Sequence, residues 1–396
     1  MQHTITTMPA ARQPGCPFDP PKELTRLGPI TPYTFPDGHQ GWLVTGYDQV
    51  RAILADPRFS SRKELMRHHP TIDYGDIEVP PAPPGEFLLM DDPQHSRYRK
   101  PLVGKFTVRR MRLLTERVEQ ITAEHLDAME QAGPPVDLVT AFAKPIPAVV
   151  ICELLGVPYD DRGLFQQHID KFLGGETSDD ELIAAYTATQ RYLAELVAAK
   201  RADPTDDVLS DLTDTDLTDE ELRGVALILL AAGLDTTANM LALGTFALLR
   251  NPAQWTALCS DPALADRAVE ELLRYLSVAK QFLRVALEDV EVGGQSIKAG
   301  ATVILSLNTA NRDPGRFPDP HVLDLRRQDG GHLAFGHGIH QCLGQQLARV
   351  EMRVALTALL GRFPTLRPAA PEEEIALRPE SADIHGIKSL PVTWDA

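Results

Sequence analysis

Phe335-Gly336-His337-Gly338-Ile339-His340-Gln341-Cys342-Leu343-Gly344 leads straight into Leu343 to Arg362, a stretch with apolar residues at three- and four-residue spacing. Three glycines this close together let the backbone turn tightly and approach its surroundings where a side chain would block it. A cysteine at the entrance of a helix meets unpaired N–H groups and the positive end of the helix dipole, which favour a thiolate. A buried cysteine is otherwise a small hydrophobe, and that is the reading for Cys152 and Cys259. Cys342 differs through its loop, because a thiolate held by backbone N–H groups in apolar surroundings suits an electron-rich axial ligand of haem iron.

Outward from this loop the chain is mainly α with a small β region. Helical periodicity runs through Leu113 to Ala132, Asp180 to Arg201, Thr218 to Arg250, Asp266 to Leu276 and Leu343 to Arg362. Thr218 with Glu221 forms a capping box, and Asn251-Pro252 ends the same segment, so this longest helix would cross an entire domain. Gly41 to Val44, Val290 to Val292, Gln295 to Ile297 and Thr302 to Leu305 read as one small sheet with a hairpin at Gly293-Gly294. There is no internal repeat and no Gly/Ser linker. One domain over 21–396 is expected, preceded by a partly ordered arm over 1–20. The proline-rich run Pro80 to Gly85 and the acidic run Asp203 to Asp216 read as solvated spacers, the first as a possible border of a site.

Hydrophobic residues make up 43% of the 396 and charged residues 24%, the balance of a folded globular chain. Asp and Glu outnumber Lys and Arg by 55 to 39, a net charge of −16, which argues against a nucleic-acid partner. Cys16, Cys152, Cys259 and Cys342 lie too far apart for a CxxC pair or a disulfide framework and are expected as reduced thiols. Met1 to Pro20 has scattered prolines instead of the basic start and apolar run of a leader peptide. The longest apolar stretch, Gly224 to Leu234, is too short to span a bilayer. A cytoplasmic monomer without membrane contact is expected.

Three further patterns carry chemistry. Glu271-Leu272-Leu273-Arg274 brings Glu271 and Arg274 together on one helix face. His95 and Arg99 lie four apart, on one face of a helix. Ala232-Gly233-Leu234-Asp235-Thr236-Thr237 lies inside the long helix, whose apolar phase continues through Met240, Leu241, Leu243 and Phe246. One continuous helix, locally distorted by the Thr236 hydroxyl, is therefore expected over two capped halves.

Taken together, these residues resemble the cytochrome P-450 family of haem-thiolate monooxygenases. Its signature F-G-x-G-x-H-x-C-x-G is matched at every fixed position of the opening loop. The resemblance covers nearly the whole chain and implies a single-domain triangular helical prism with a long central helix over haem b (iron protoporphyrin IX). Cys342 would ligate the iron, with Phe335, Gly336 and Gly344 shaping its loop. Glu271 and Arg274, joined by Arg326 or Arg327, would lock the core around that loop. His95, Arg99, Arg284 and His340 would hold the propionates, Ala232 and Gly233 would approach haem or O2, and Asp235 and Thr236 would deliver protons. Gln341 departs from the aromatic residue common beside the cysteine.

The implied reaction inserts one oxygen atom from O2 into a C–H bond (hydroxylation) or double bond (epoxidation) of a hydrophobic small molecule, expected to be a polyketide, macrolide or terpenoid natural product. A peroxide-driven peroxygenase and a haem-based gas sensor or carrier are the alternatives. Leu88, Phe172, Leu173, Ile228, Val278, Phe282, Leu283, Ile384 and Ile387 are expected to line the pocket. No flavin or iron–sulfur segment is present in the sequence, so electrons are expected from an acidic ferredoxin and an NAD(P)H-dependent ferredoxin reductase. Arg97, Arg99, Lys100, Lys105, Arg109, Arg110 and Arg112, in a run without acids, together with Arg349 and Arg353, would form the docking face.

Overall fold

The computed structural model describes residues 4–11, 15–66, 70, 78–105, 108–161, 163, 178–380 and 382–395. Its helices are α1 (Tyr47–Ala55), α2 (Gln94–Val103), α3 (Val108–Ala132), α4 (Pro145–Leu154), α5 (Asp179–Ala202), α6 (Val208–Thr213), α7 (Asp219–Leu249), α8 (Pro252–Ser260), α9 (Ala265–Leu276), α10 (Leu307–Ala310) and α11 (Gln345–Arg362). The 31 residues of α7 make a rod about 46 Å long at 1.5 Å per residue. Its start is the expected reciprocal cap, with Thr218 N donating to Glu221 and Glu221 N to Thr218 Oγ1. Because α7 is apolar nearly all round, it has to be covered on every side. The helices α4, α5, α9 and α11 pack against it, and Leu230, Leu241 and Leu243 are fully buried. By length and composition α7 could cross a membrane, but 72% of its apolar window is buried inside the protein.

The strands are short. β1 (Ile30–Thr34), β2 (Gln40–Val44), β3 (Phe59–Ser60), β5 (Gln281–Ala286) and β8 (Thr302–Ser306) form a five-stranded sheet in the order β1-β2-β8-β5-β3. β2 runs parallel to β8, with Trp42 opposite Val303, and the other neighbours are antiparallel. β4 (Val136–Asp137), β9 (Arg367–Pro368) and β12 (Pro391–Thr393) make a second sheet. β10 (Ala376–Leu377) pairs with β11 (Ile387–Ser389). The hairpin of β6 (Val290–Val292) and β7 (Gln295–Ile297) stands as a sheet of its own, which corrects the expectation of one sheet. Pro32 hides β1 in the sequence, because a proline demotes a run to an edge position, and β1 is indeed an edge strand. Within the 1–20 segment Phe18 is buried edge-on against Phe246, and Asp19 pairs with buried Arg312 at 2.9 Å, which fastens this segment to the helical core.

Candidate active site

The signature loop closes on itself through three backbone bonds. Gly336 N donates to Leu333 O, Gln341 N to Gly338 O, and Cys342 N to Phe335 O at 2.8 Å. Gly338 adopts a left-handed φ of +75°, and a Cβ there would come within 2.4 Å of Leu54 O at the end of α1, so no other residue fits. α11 begins only at Gln345, later than expected, which leaves Cys342 in the loop ahead of the first turn. Burial therefore pushes the Cys342 thiol up, partly offset by the Gly344 N–H turned on the sulfur and by the Arg99 and Arg349 charges. The dipole alone does not make the thiolate, and a coordinated metal ion would.

The ion-pair lock behind the loop is complete. Arg274 Nε and Nη2 donate to the two Glu271 oxygens at 2.7 and 2.9 Å, both side chains being almost fully buried. Of the two candidate third members it is Arg327 that joins, with Nε 3.1 Å from Glu271 Oε2, while Arg326 is exposed. Arg274 also donates to Asn311 O and Pro320 O, and Asn311 Oδ1 accepts Leu333 N just ahead of the signature loop. Asn311 and the Arg312–Asp19 pair went unnoticed in the sequence because their partners are distant in the chain.

His95, Arg99, Arg284 and His340 do converge. The His95 and His340 rings lie 4.3 Å apart. Among the described residues both nitrogens of His95 and Nε2 of His340 are buried without a hydrogen-bond partner; Asp92 Oδ1 lies 3.6 Å from His95 Nδ1, too far to serve. Burial, then the neighbouring Arg284, His95 and Arg99, holds His340 down to about 3. Burial likewise lowers Arg284 to about 10, with Asp91 the nearby opposing charge. Arg99 turns inward to donate to Gln341 O. Buried donors with too few acceptors are costly, and this surplus of donors and positive charge calls for an anionic group. Two carboxylates at the edge of an apolar macrocycle supply that chemistry, so the residues present fit haem.

On α7 one stripe breaks the burial. Ile228 is half-buried, Ala232 exposed between half-buried Ala231 and Gly233, and Thr236 half-buried, at four-residue spacing, while Leu227, Leu229, Leu234, Asp235 and Thr237 are buried, so this stripe borders open space. The helix is continuous there, and Thr236 Oγ1 donates to Ala232 O at 2.8 Å. A Cβ on Gly233 would lie 3.2 Å from the Ile151 side chain of α4, so the glycine eases the packing of that neighbouring helix. Asp235 is bound by a residue missed in the sequence. Arg378 grips both of its oxygens, Nη1 to Oδ2 at 2.7 Å and Nη2 to Oδ1 at 2.5 Å, and Asn239 Nδ2 donates to Oδ1 at 3.1 Å. Asn239 lies one helical turn from Asp235 and was legible as a neighbour, whereas Arg378 lies 143 positions away.

The pocket residues divide. Phe282 and Leu283, adjacent on β5, are partly accessible, and Phe282 lies 3.4 Å from where a Gly336 Cβ would be. Leu88 is 47% exposed, and Ile384 is half-buried. Ile387 and Val278 are 2% and 6% exposed within the main core, because strand alternation and the turn geometry direct them inward, so they do not face open space. Phe172, Leu173 and the Gly174-Gly175 turn lie outside the described residues.

The basic run is largely neutralised. Arg97 pairs with Asp216 and Glu221, Arg110 with Asp206 and Asp211, Lys105 with Asp211, Arg112 with Glu116, Arg349 with Glu270 and Arg353 with Asp266. The acidic run Asp203 to Asp216 folds against it and is not merely a spacer. Exposed Lys100 and Arg109 have no acidic partner among the described residues.

Comparison with known proteins places this geometry. The family model for Cytochrome P450 matches residues 260–382. The chain is 50% identical over 383 residues to Cytochrome P450 105C1 of a Streptomyces species, covering 95% of this chain and 96% of that protein. It is 44% identical to Pentalenic acid synthase of Streptomyces avermitilis, covering 96% and 95%. Among solved structures, CYP105P1 in complex with filipin I superimposes with a TM-score of 0.90 at 41% identity, covering 99% of each chain.

Proposed function

The chain belongs to the cytochrome P450 family of monooxygenases, and from that premise we propose that it hydroxylates or epoxidises a hydrophobic natural product at a haem b held by Cys342. The observation that carries the reading is the pairing of the self-closed Cys342 loop with the four converging groups His95, Arg99, Arg284 and His340, of which both His95 nitrogens and His340 Nε2 are buried without a hydrogen-bond partner among the described residues. When bound, haem supplies the activation of O2 and the insertion of one oxygen atom.

The chain's own residues divide the remaining work. Cys342 Sγ is the iron ligand, and the Gly344 N–H stabilises negative charge on it. His95, Arg99, Arg284 and His340 hold the propionates. Ile228, Ala232 and Phe282 exclude water from the pocket and bear on the substrate. The Thr236 hydroxyl, anchored on Ala232 O, orders a proton donor at the pocket wall. Asp235, fixed by Arg378 and Asn239 behind that wall, passes protons toward Thr236. This acid–alcohol pair favours reduction-driven turnover over a peroxide-driven peroxygenase. Electrons come from a small acidic iron–sulfur protein and its reductase, docking on the cysteine side where Lys100 and Arg109 remain uncompensated.

The relatives support a natural-product substrate, one being named pentalenic acid synthase and another crystallised with filipin I. The test is a screen of terpenoids and macrolides for displacement of iron-bound water in the haem spectrum, followed by turnover of the hits under 18O2. One labelled oxygen atom in the product is expected. A product carrying no label from 18O2 would refute the monooxygenase reading.

A further inference from the structure

Two adjacent acids on α9 face different tasks. Glu271 turns inward to the ion-pair lock, whereas Glu270 turns toward the signature loop and the helix that follows it. Arg349 Nε donates to Glu270 Oε1 at 2.5 Å and its Nη2 to Oε2 at 3.1 Å, a bidentate fork. On the same acid, His332 Nε2 lies 3.3 Å from Oε2, off the line of a good hydrogen bond. His332 Nδ1 accepts Ala334 N at 3.2 Å, which leaves Nε2 to carry the proton toward Glu270. The Arg349 guanidinium lies 4.6 Å from the centre of the Phe335 ring, and Phe335 O is the acceptor of Cys342 N. A cation thus stands one ring away from the cysteine's own backbone, with its charge balanced by a carboxylate on a separate helix.

We propose that Glu270 is a positioning residue that sets the reduction potential of the Cys342-ligated iron, by holding Arg349 on Phe335 and cancelling part of its charge. The inference rests on the haem-thiolate reading above. A positive charge near the ligand favours the reduced iron, and a negative one favours the oxidised iron. Neutralising Glu270 leaves the Arg349 charge uncompensated and raises the potential. Neutralising Arg349 leaves Glu270 alone and lowers it. A role in packing alone gives no such opposition of sign.

The test is spectroelectrochemical titration of the haem-loaded full chain. Glu270→Gln is expected to raise the potential and Arg349→Gln to lower it, each by at least threefold in the reduction equilibrium, about 28 mV at 59 mV per tenfold for one electron. The double variant should return near the parent, and Arg349→Lys, which keeps the charge without the fork, should stay close to it. Shifts of the same sign, or none, would overturn the clamp. Should Glu270→Gln not load haem, the two Arg349 variants decide alone. A reduced carbon monoxide complex with the red-shifted thiolate band and unmoved potentials would sink the clamp only. Its absence from the parent would overturn the haem-thiolate reading and the clamp with it.

Discussion

Glu271→Gln removes one charge and almost no volume from the ion-pair lock. In the parent, Glu271 receives Arg274 Nε and Nη2, Arg327 Nε and Asp324 N, a donor set that spans α9 and the loop leading to the signature. The substitution leaves Arg274, 1% exposed, without its counter-charge, and Arg327 with only Asp329 at 4.0 Å. Breaking one side of a buried pair costs about 3 to 5 kcal/mol, because the remaining ion stays desolvated and unpaired. For 396 residues at roughly 2.1 cal/mol/K each, the unfolding entropy is about 830 cal/mol/K. A loss of about 4 kcal/mol then lowers the melting temperature by about 5 °C. The same substitution at the adjacent, half-exposed Glu270 is expected to cost under about 1 kcal/mol, roughly 1 °C. The assay is thermal unfolding of the haem-loaded protein, followed in parallel by circular dichroism and by Soret absorbance. Equal melting temperatures for Glu271→Gln and Glu270→Gln would refute the argument that burial makes this pair a lock.

Thr236→Ala is expected to leave substrate binding near normal and divert reducing equivalents to peroxide, since losing a placed proton donor costs about 10² to 10⁴ in rate; equal product per NAD(P)H in variant and parent would contradict the role. Arg378→Ala frees Asp235 from its fork and should lower product per NAD(P)H while the carbon monoxide spectrum stays intact, so unchanged coupling would show the fork to be structural only. Burial raises Glu351 on α11 from 4.5 to about 8, and its Oε2 has no hydrogen-bond partner among the described residues. The native state therefore binds the extra proton, and its stability falls as pH rises from about 4.5 to 8 and then levels off. Glu351→Gln should match the parent near pH 4.5 and exceed it by roughly 3 kcal/mol at pH 7 in denaturant titration; a constant difference between the two across that range would contradict the assignment. Arg109→Glu should slow reduction by an acidic ferredoxin, with a rate that falls as salt rises in the parent; a salt-independent rate, unaltered by the substitution, would exclude electrostatic docking there.

The helical frame was legible because its signals are local. The Thr218 cap, the Asn251-Pro252 stop and the apolar phase across Ala232 to Phe246 bound α7 correctly, and the structure keeps it unbroken. Fixed-spacing motifs worked for the same reason, since Glu271 with Arg274 and His95 with Arg99 meet by helix geometry alone. What failed to appear depends on distant pairing. β5 is a strand because β8 and β3 flank it, and Arg378 matters because a C-terminal turn folds against α7. The basic run misled because its neutralising acids, Asp206, Asp211 and Asp216, come from a different helical segment.

The central claim is that Cys342 binds haem iron as a thiolate, and the absorption spectrum of the reduced protein under carbon monoxide addresses it most directly. The parent should show the strongly red-shifted Soret band of thiolate ligation, and Cys342→Ala should lose it. That band persisting in Cys342→Ala, or absent from a haem-loaded parent, would contradict the account.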